Sequence, residues 1–147
     1  MSEENKKLVL RWFEEVWNRN RPSAIGEMYH ATGRSHGFPD PDSVISSPEE
    51  FAENCINFRK AFPDVHITVD DLVAEGDKVA VRWTATMAHE GDGLGFPATS
   101  KQVTLSGSSF LICGDGKILE GWNYMDLTRM RLQLEQESAS REAAMAR

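Results

Sequence analysis

Cysteine is scarce in this sequence. Two residues, Cys55 and Cys113, lie far apart in a chain of 147 and form no CxxC pair. That excludes a disulfide framework, a cysteine-rich zinc module and a dithiol redox motif. Both read as reduced, buried thiols. Positive charge is also in deficit: 16 Lys and Arg against 23 Asp and Glu leave a formal net charge of −7. No basic cluster stands out to track a nucleic-acid backbone. Long apolar runs are missing too. None approaches the ~20 residues of a membrane-spanning helix, and the polar start MSEENKK carries no secretory signal. The expectation is a cytoplasmic protein with no membrane and no nucleic-acid partner. GxSxG, HExxH, P-loop and GxGxxG segments do not occur, which removes the chemistries those motifs carry. The histidines show no ligand-like spacing, so no metal is expected.

What is present is a change of period along the chain. Leu8, Val9, Trp12, Phe13, Val16 and Trp17 recur at helical spacing and predict an amphipathic helix over 3–19. Pro22 and Ser23 open a short second helix reaching Met28 and Tyr29. The stretch HATGRSHGFPDPDS (30–43) shows neither period and many breakers, so it reads as loop with at most one short strand. Ser47 is a good N-cap, followed by Pro48 and Glu49–Glu50 in the first turn. The helix behind it carries Phe51, Cys55, Phe58 and Phe62 and stops at Pro63. From there the period is two. VHITVDDLVAEGD, KVAVRWTATMAH, KQVTLSGSSFLIC and KILEGWNYMDL read as four strands, the last pair joined by the hairpin turn GDGK at 114–117. From Leu127 the chain is helix-like and polar, and ESASREAAMAR reads as a frayed or disordered end. Helices first and antiparallel strands afterwards predict an α+β fold. It forms one domain over 1–134, with a polar tail over 135–147.

The order and spacing of LVLRWFEEVWN, FRKAFPDVHITVDDLVAEGDKVAVRWT, HEGDGLGFPATSKQV, GDGKILEGW and the closing D…LQL at 126–134 resemble the SnoaL-like polyketide cyclase (ester cyclase) family. That family sits within the nuclear-transport-factor-2-like superfamily. The resemblance implies a cystatin-like conical barrel, with N-terminal helices packed on a curved, mostly antiparallel sheet and a pocket between them. It implies no metal or organic cofactor, and often a homodimer formed through the sheet. It also implies a pocket aspartate on the last strand, which deprotonates an activated carbon so that an intramolecular aldol condensation closes a ring. Counted from the GDGK turn, that acid falls near Trp122–Asn123, where this sequence has no acid.

Strand alternation sorts the candidates. Pairing the last two strands through GDGK brings 113 opposite 117, Gly107 near Asn123 and Leu111 near Leu119. The inward face then holds Val79, Val81, Trp83, Ala85, Met87, His89, Leu105, Leu111, Leu119, Asn123 and Met125. The outward face holds Arg82, Phe110, Glu120, Trp122, Tyr124 and Asp126, with Glu120 the natural partner for Arg82. Asn123 is expected to face the pocket beside Trp83, Met87 and Leu105. Trp12, Tyr29 and Phe58 are core aromatics that also serve as candidate lining. Three residues are candidates to move a proton. His89, at a strand end before a glycine loop, resembles the histidine of the family's HxG segment. His36 falls where its loop reaches the pocket mouth. Asp126 lies where the last strand leaves for the tail. His30 reads as a structural residue at a helix end, and His66 as solvent-facing.

Two functions follow. The first is a cofactor-independent cyclase or isomerase using general acid/base chemistry on a hydrophobic, carbonyl-containing small molecule. The second is a non-catalytic small-ligand-binding protein, or an accessory protein in tailoring hydroxylation, built on the same pocket.

Overall fold

The computed structural model describes residues 2–91 and 98–135. The glycine loop over 92–97 and the frayed or disordered end beyond 135, both expected from the sequence, lie outside the described residues.

Helix α1, Ser2–Trp12, starts with Glu3 and Glu4 near its positive end and buries Val9 and Trp12. It continues as a π-helical segment, Phe13–Asn18, which buries Phe13, Val16 and Trp17. The wider winding delivers the Asn18 side chain to the edge of the sheet. There its Oδ1 accepts from Ile67 N–H at 2.6 Å and its Nδ2 donates to Ile67 O at 2.9 Å. A 3-10 turn, Pro22–Ala24, and a single α-helical turn, α2 (Ile25–Met28), replace the continuous second helix expected from the sequence. Helix α3, Pro48–Ala61, begins as its sequence predicts: Glu50 N–H donates to Ser47 Oγ at 3.1 Å, with Pro48 in the first turn. Asp64, just past its end, accepts from Ala88 N–H at 2.8 Å and ties the helix exit to the sheet.

One correction to the sequence reading is a strand. Tyr29 does not end a helix; it opens β1 (Tyr29–His36), which runs parallel to the last strand and antiparallel to a two-residue β2, Val44–Ile45. Alternation is present in β1, but small residues carry it: after Tyr29 its buried positions are Gly33 and Ser35. An apolar count therefore misses it, and long-range pairing decides the conformation. His30 accordingly sits in a strand, where its Nδ1 accepts from Thr32 N–H at 3.1 Å.

Strands β3 (His66–Glu75), β4 (Lys78–Ala88), β5 (Gln102–Gly114) and β6 (Lys117–Met125) complete a six-stranded sheet in the order β2-β1-β6-β5-β4-β3. The β5–β6 turn has φ of +53° at Asp115 and +73° at Gly116, the left-handed pair that suits a twisted hairpin. Across β4 and β5 the partners are Trp83↔Gly107 and Met87↔Val103. Between β5 and β6 the register differs from the expected one. A shift between Ile112 and Cys113 brings Ser109 opposite Asn123 and Gly107 opposite Met125. At Asn123 the slip is by two residues, so its face is preserved. Beside the turn the irregularity puts Ile118 in the core at 1% exposure, where Leu119 was expected. A last helix, α4 (127–135), packs Met130 and Leu134 against the core. The helices and the inner sheet face enclose one aromatic-rich core.

Candidate functional site

The core is not completely filled. Between the helices and the inner sheet face lies a cavity of about 50 Å³. From the helical side come Trp12, Phe13 and Trp17, with Phe51 and Phe58 of α3. Phe38 closes it from the β1–β2 connection, and Trp83, Leu105, Leu111 and Met125 form its sheet wall. The rings lock one another at the edge-to-face and offset geometries that aromatic quadrupoles favour. Trp17 meets Phe38 at 5.5 Å and 89° and Phe58 at 5.7 Å and 86°; Trp12 meets Phe51 at 5.0 Å and 71°.

One corner of this cavity is polar. Trp83 Nε1–H donates to Ser109 Oγ at 3.1 Å, Ser109 O–H donates to Asn123 Oδ1 at 2.7 Å, and Asn123 Nδ2 donates to His36 O at 3.1 Å. The direction of this chain is determined at both ends. An indole N–H can only donate and a backbone carbonyl can only accept. The Asn123 amide therefore presents its NH2 toward His36 O, and no hydrogen bond from its second N–H is found among the described residues. No acid, base or other titratable side chain lines the cavity among the described residues.

Of the residues named from the sequence, Trp12, Phe58, Trp83, Leu105 and Asn123 come together on this cavity. Tyr29 stands behind its wall, stacked on Trp12 at 5.8 Å with its hydroxyl 3.0 Å from Ser35 Oγ, and burial raises its pKa. Met87 is wholly buried elsewhere on the inner face of β4. His89 is buried against Phe62, ring centroids 5.6 Å apart. Its Nδ1 accepts from Thr99 N–H at 3.3 Å and its backbone pairs with Lys101 and Ser100, so it ties down the loop after β4. It does not line the cavity.

His36 and Asp126 come together on a different surface. Both line an open groove of about 700 Å³ that crosses the far end of β6 and the outer sheet face, with Arg82, Trp122 and Tyr124. His36 Nε2 lies 2.7 Å from Glu120 Oε2, and its ring stacks on Trp122 at 5.3 Å and 11°. Glu120 is thus occupied by His36. Arg82, expected to pair with it, instead lies 3.9 Å from Asp70 and stays largely exposed. Asp126 is exposed and caps α4, its Oδ1 accepting from Arg129 N–H at 3.1 Å. Ser109 is not among the residues that the sequence singles out. Its place midway between Gly107 and Leu111 was the available signal, since alternation puts all three on one face. Among the described residues, no three His, Cys, Asp or Glu side chains converge as a metal-ligand group.

The family's sequence profile, SnoaL-like polyketide cyclase, matches residues 7–134. The chain belongs to the SnoaL-like polyketide cyclase family. Solved structures agree. AclR of Streptomyces galilaeus, a proposed hydroxylase, is 28% identical with a TM-score of 0.80, over 92% of this chain and 87% of its own. A proposed polyketide cyclase of Acidithiobacillus ferrooxidans is 26% identical at a TM-score of 0.79, over 92% of this chain and 97% of its own. A Catenulispora acidiphila protein with a ketosteroid-isomerase-like fold, 16% identical at a TM-score of 0.70 over 84% of this chain and 88% of its own, shares the fold alone. No curated protein matches the chain significantly. The architecture is thus the α+β cone of the nuclear-transport-factor-2-like superfamily, helices on a curved sheet. No helix among the described residues is long and apolar enough to cross a membrane.

Proposed function

We propose that this SnoaL-like protein binds an uncharged, hydrophobic, carbonyl-bearing small molecule in the inner cavity, and acts on it by shape and hydrogen bonding. The single observation behind this is the pairing of an aromatic-walled cavity with one directed polar corner, Trp83–Ser109–Asn123, and no titratable lining residue among those described. A carbonyl oxygen placed at the open Asn123 N–H is polarised, and a flexible ligand folded between the rings is held near ring closure. Cavities that enclose a drug-sized ligand run to about 300–1,000 Å³, so at about 50 Å³ this one accepts a larger molecule only as its walls part. The test is a panel of apolar ketones, alcohols and ammonium ions titrated against tryptophan fluorescence. Ketones should bind best, and Asn123→Ala should remove that preference. Equal binding of all three classes would sink the reading.

A second reading rests on the His36–Glu120 pair. A carboxylate at 2.7 Å orients the imidazole, as in general-base dyads, and His36 O is the acceptor of the Asn123 amide. If this dyad moves a proton for ring closure, Glu120→Gln lowers turnover and changes its pH profile while ligand affinity holds. A third proposal concerns assembly. Phe110, Tyr124 and Val73 are exposed large residues on the outer sheet face, with aromatic and Arg character suited to an interface.

A further inference from the structure

The open groove and the inner cavity share part of their walls. Asn123 and Met125 line both. The opposite position on β5 is Gly107, the cross-strand partner of Met125. Gly107 has no side chain to thicken the sheet there, and a Cβ on it would lie 2.6 Å from the Trp83 ring. The wall between groove and cavity at this point is the paired β5–β6 backbone together with three side chains: the Trp83 ring edge, the Asn123 amide and the Met125 thioether.

These three differ in freedom. Trp83 is fixed by its bond to Ser109, and Asn123 by Ser109 and His36 O. The Met125 backbone is anchored too, because it pairs with Gly107 and the next residue, Asp126, donates its N–H to Ser106 O at 2.9 Å. The Met125 side chain has no such tether. It is half-buried, unbranched and rotatable about three bonds, the properties that let methionine rearrange without breaking its surroundings.

We propose that Met125 is the gate between groove and cavity: small uncharged molecules reach the aromatic cavity from the open groove by displacement of its side chain, and its bulk sets the size admitted. This deepens the reading of the cavity as the binding site, and it names the access route and a size-determining residue. The alternative route would part the helical side at Phe58.

Dynamic quenching by acrylamide, a small neutral amide, tests the route without any ligand. The chain has 4 tryptophans, and in a Trp122→Phe background the remaining Trp12, Trp17 and Trp83 all line the cavity. In that background Met125→Ala should raise the quenching constant severalfold, and Met125→Leu should leave it nearly unchanged. Met125→Cys makes the experiment reversible within one folded protein. Its quenching should rise, then return to the background level once N-ethylmaleimide adds bulk to the thiol. Cys55 and Cys113 are buried, with thiols pushed up to about 12 and about 11, and should stay unmodified. Quenching unmoved by both Met125→Ala and alkylation of Met125→Cys overturns the proposal, and a rise in Phe58→Ala would then place the access between the helices. Failure of every apolar ketone to bind would count against the cavity as the binding site and would leave this result intact.

Discussion

Asn123 holds its amide between partners of opposite kind, a hydroxyl that donates to it and a carbonyl that accepts from it. Removing it strips Ser109 and His36 O of a partner at once. Asn123→Ala should therefore lose ketone binding and also roughly 1–3 kcal/mol of stability, read as a lower melting temperature. Ser109→Ala strands the Trp83 N–H and one lone pair of Asn123 Oδ1 in a buried corner, so a similar loss is expected, with ketone affinity reduced only in part. A second residue-scale prediction concerns pH. Burial pushes the Cys55 thiol from 9.0 up to about 12. The folded chain then keeps a proton that the unfolded chain has released, so this contribution is fully present below about pH 9 and is lost as pH rises toward 12. The loss is of the order of 4 kcal/mol across that window. Melting curves from pH 8 to 11 should fall steeply in the parent chain and less steeply in Cys55→Ala. Parallel slopes would contradict the assignment.

At the scale of elements, two asparagine and aspartate side chains join pieces that the backbone alone leaves unjoined. Asn18 substitutes for a neighbouring strand at the free edge of β3. Asn18→Ala should cost about 1–3 kcal/mol and speed hydrogen exchange at Ile67. Asp126 caps α4. Asp126→Asn should melt like the parent, because Asn caps as well as Asp, and Asp126→Ala should lose about 1 kcal/mol. If Asp126→Asn is folded but loses turnover steeply, Asp126 is a proton carrier and not only a cap. The elements that the sequence made legible are those whose period is written in large apolar residues: α3, β4 and the inner positions of β5. The β1 strand was foreseen only as at most one short strand within 30–43, its start at Tyr29 and its full length being hidden because Gly33 and Ser35 hold its buried positions, and the β5–β6 register escaped because an irregularity beside the turn leaves no mark in an apolar pattern. Within the site, Asn123, Trp83 and Trp12 were legible from alternation and helical spacing. The separation of His89, His36 and Asp126 from the cavity was not, since it depends on packing of the loop after β4, on ring stacking at Trp122 and on the start of α4.

For the whole molecule, the cone has two usable faces. The inner face closes on the aromatic cavity, and the outer carries Phe110, Tyr124 and Val73 in solvent. Aromatics exposed on one sheet face suit the proposed homodimer interface. A dimer is expected in light scattering at micromolar concentration, and Tyr124→Glu with Phe110→Glu should give monomers that still bind a small ketone. A parent chain that is monomeric throughout that range would remove the dimer and leave the cavity untouched. The proposed function requires a ligand carbonyl at the Asn123 corner of the inner cavity. The most direct measurement is the carbonyl stretching frequency of isotopically labelled acetophenone bound to the protein. The frequency should fall on binding, a shift abolished in Asn123→Ala and retained in Glu120→Gln. A bound carbonyl whose frequency is the same in the parent chain and in Asn123→Ala would contradict it.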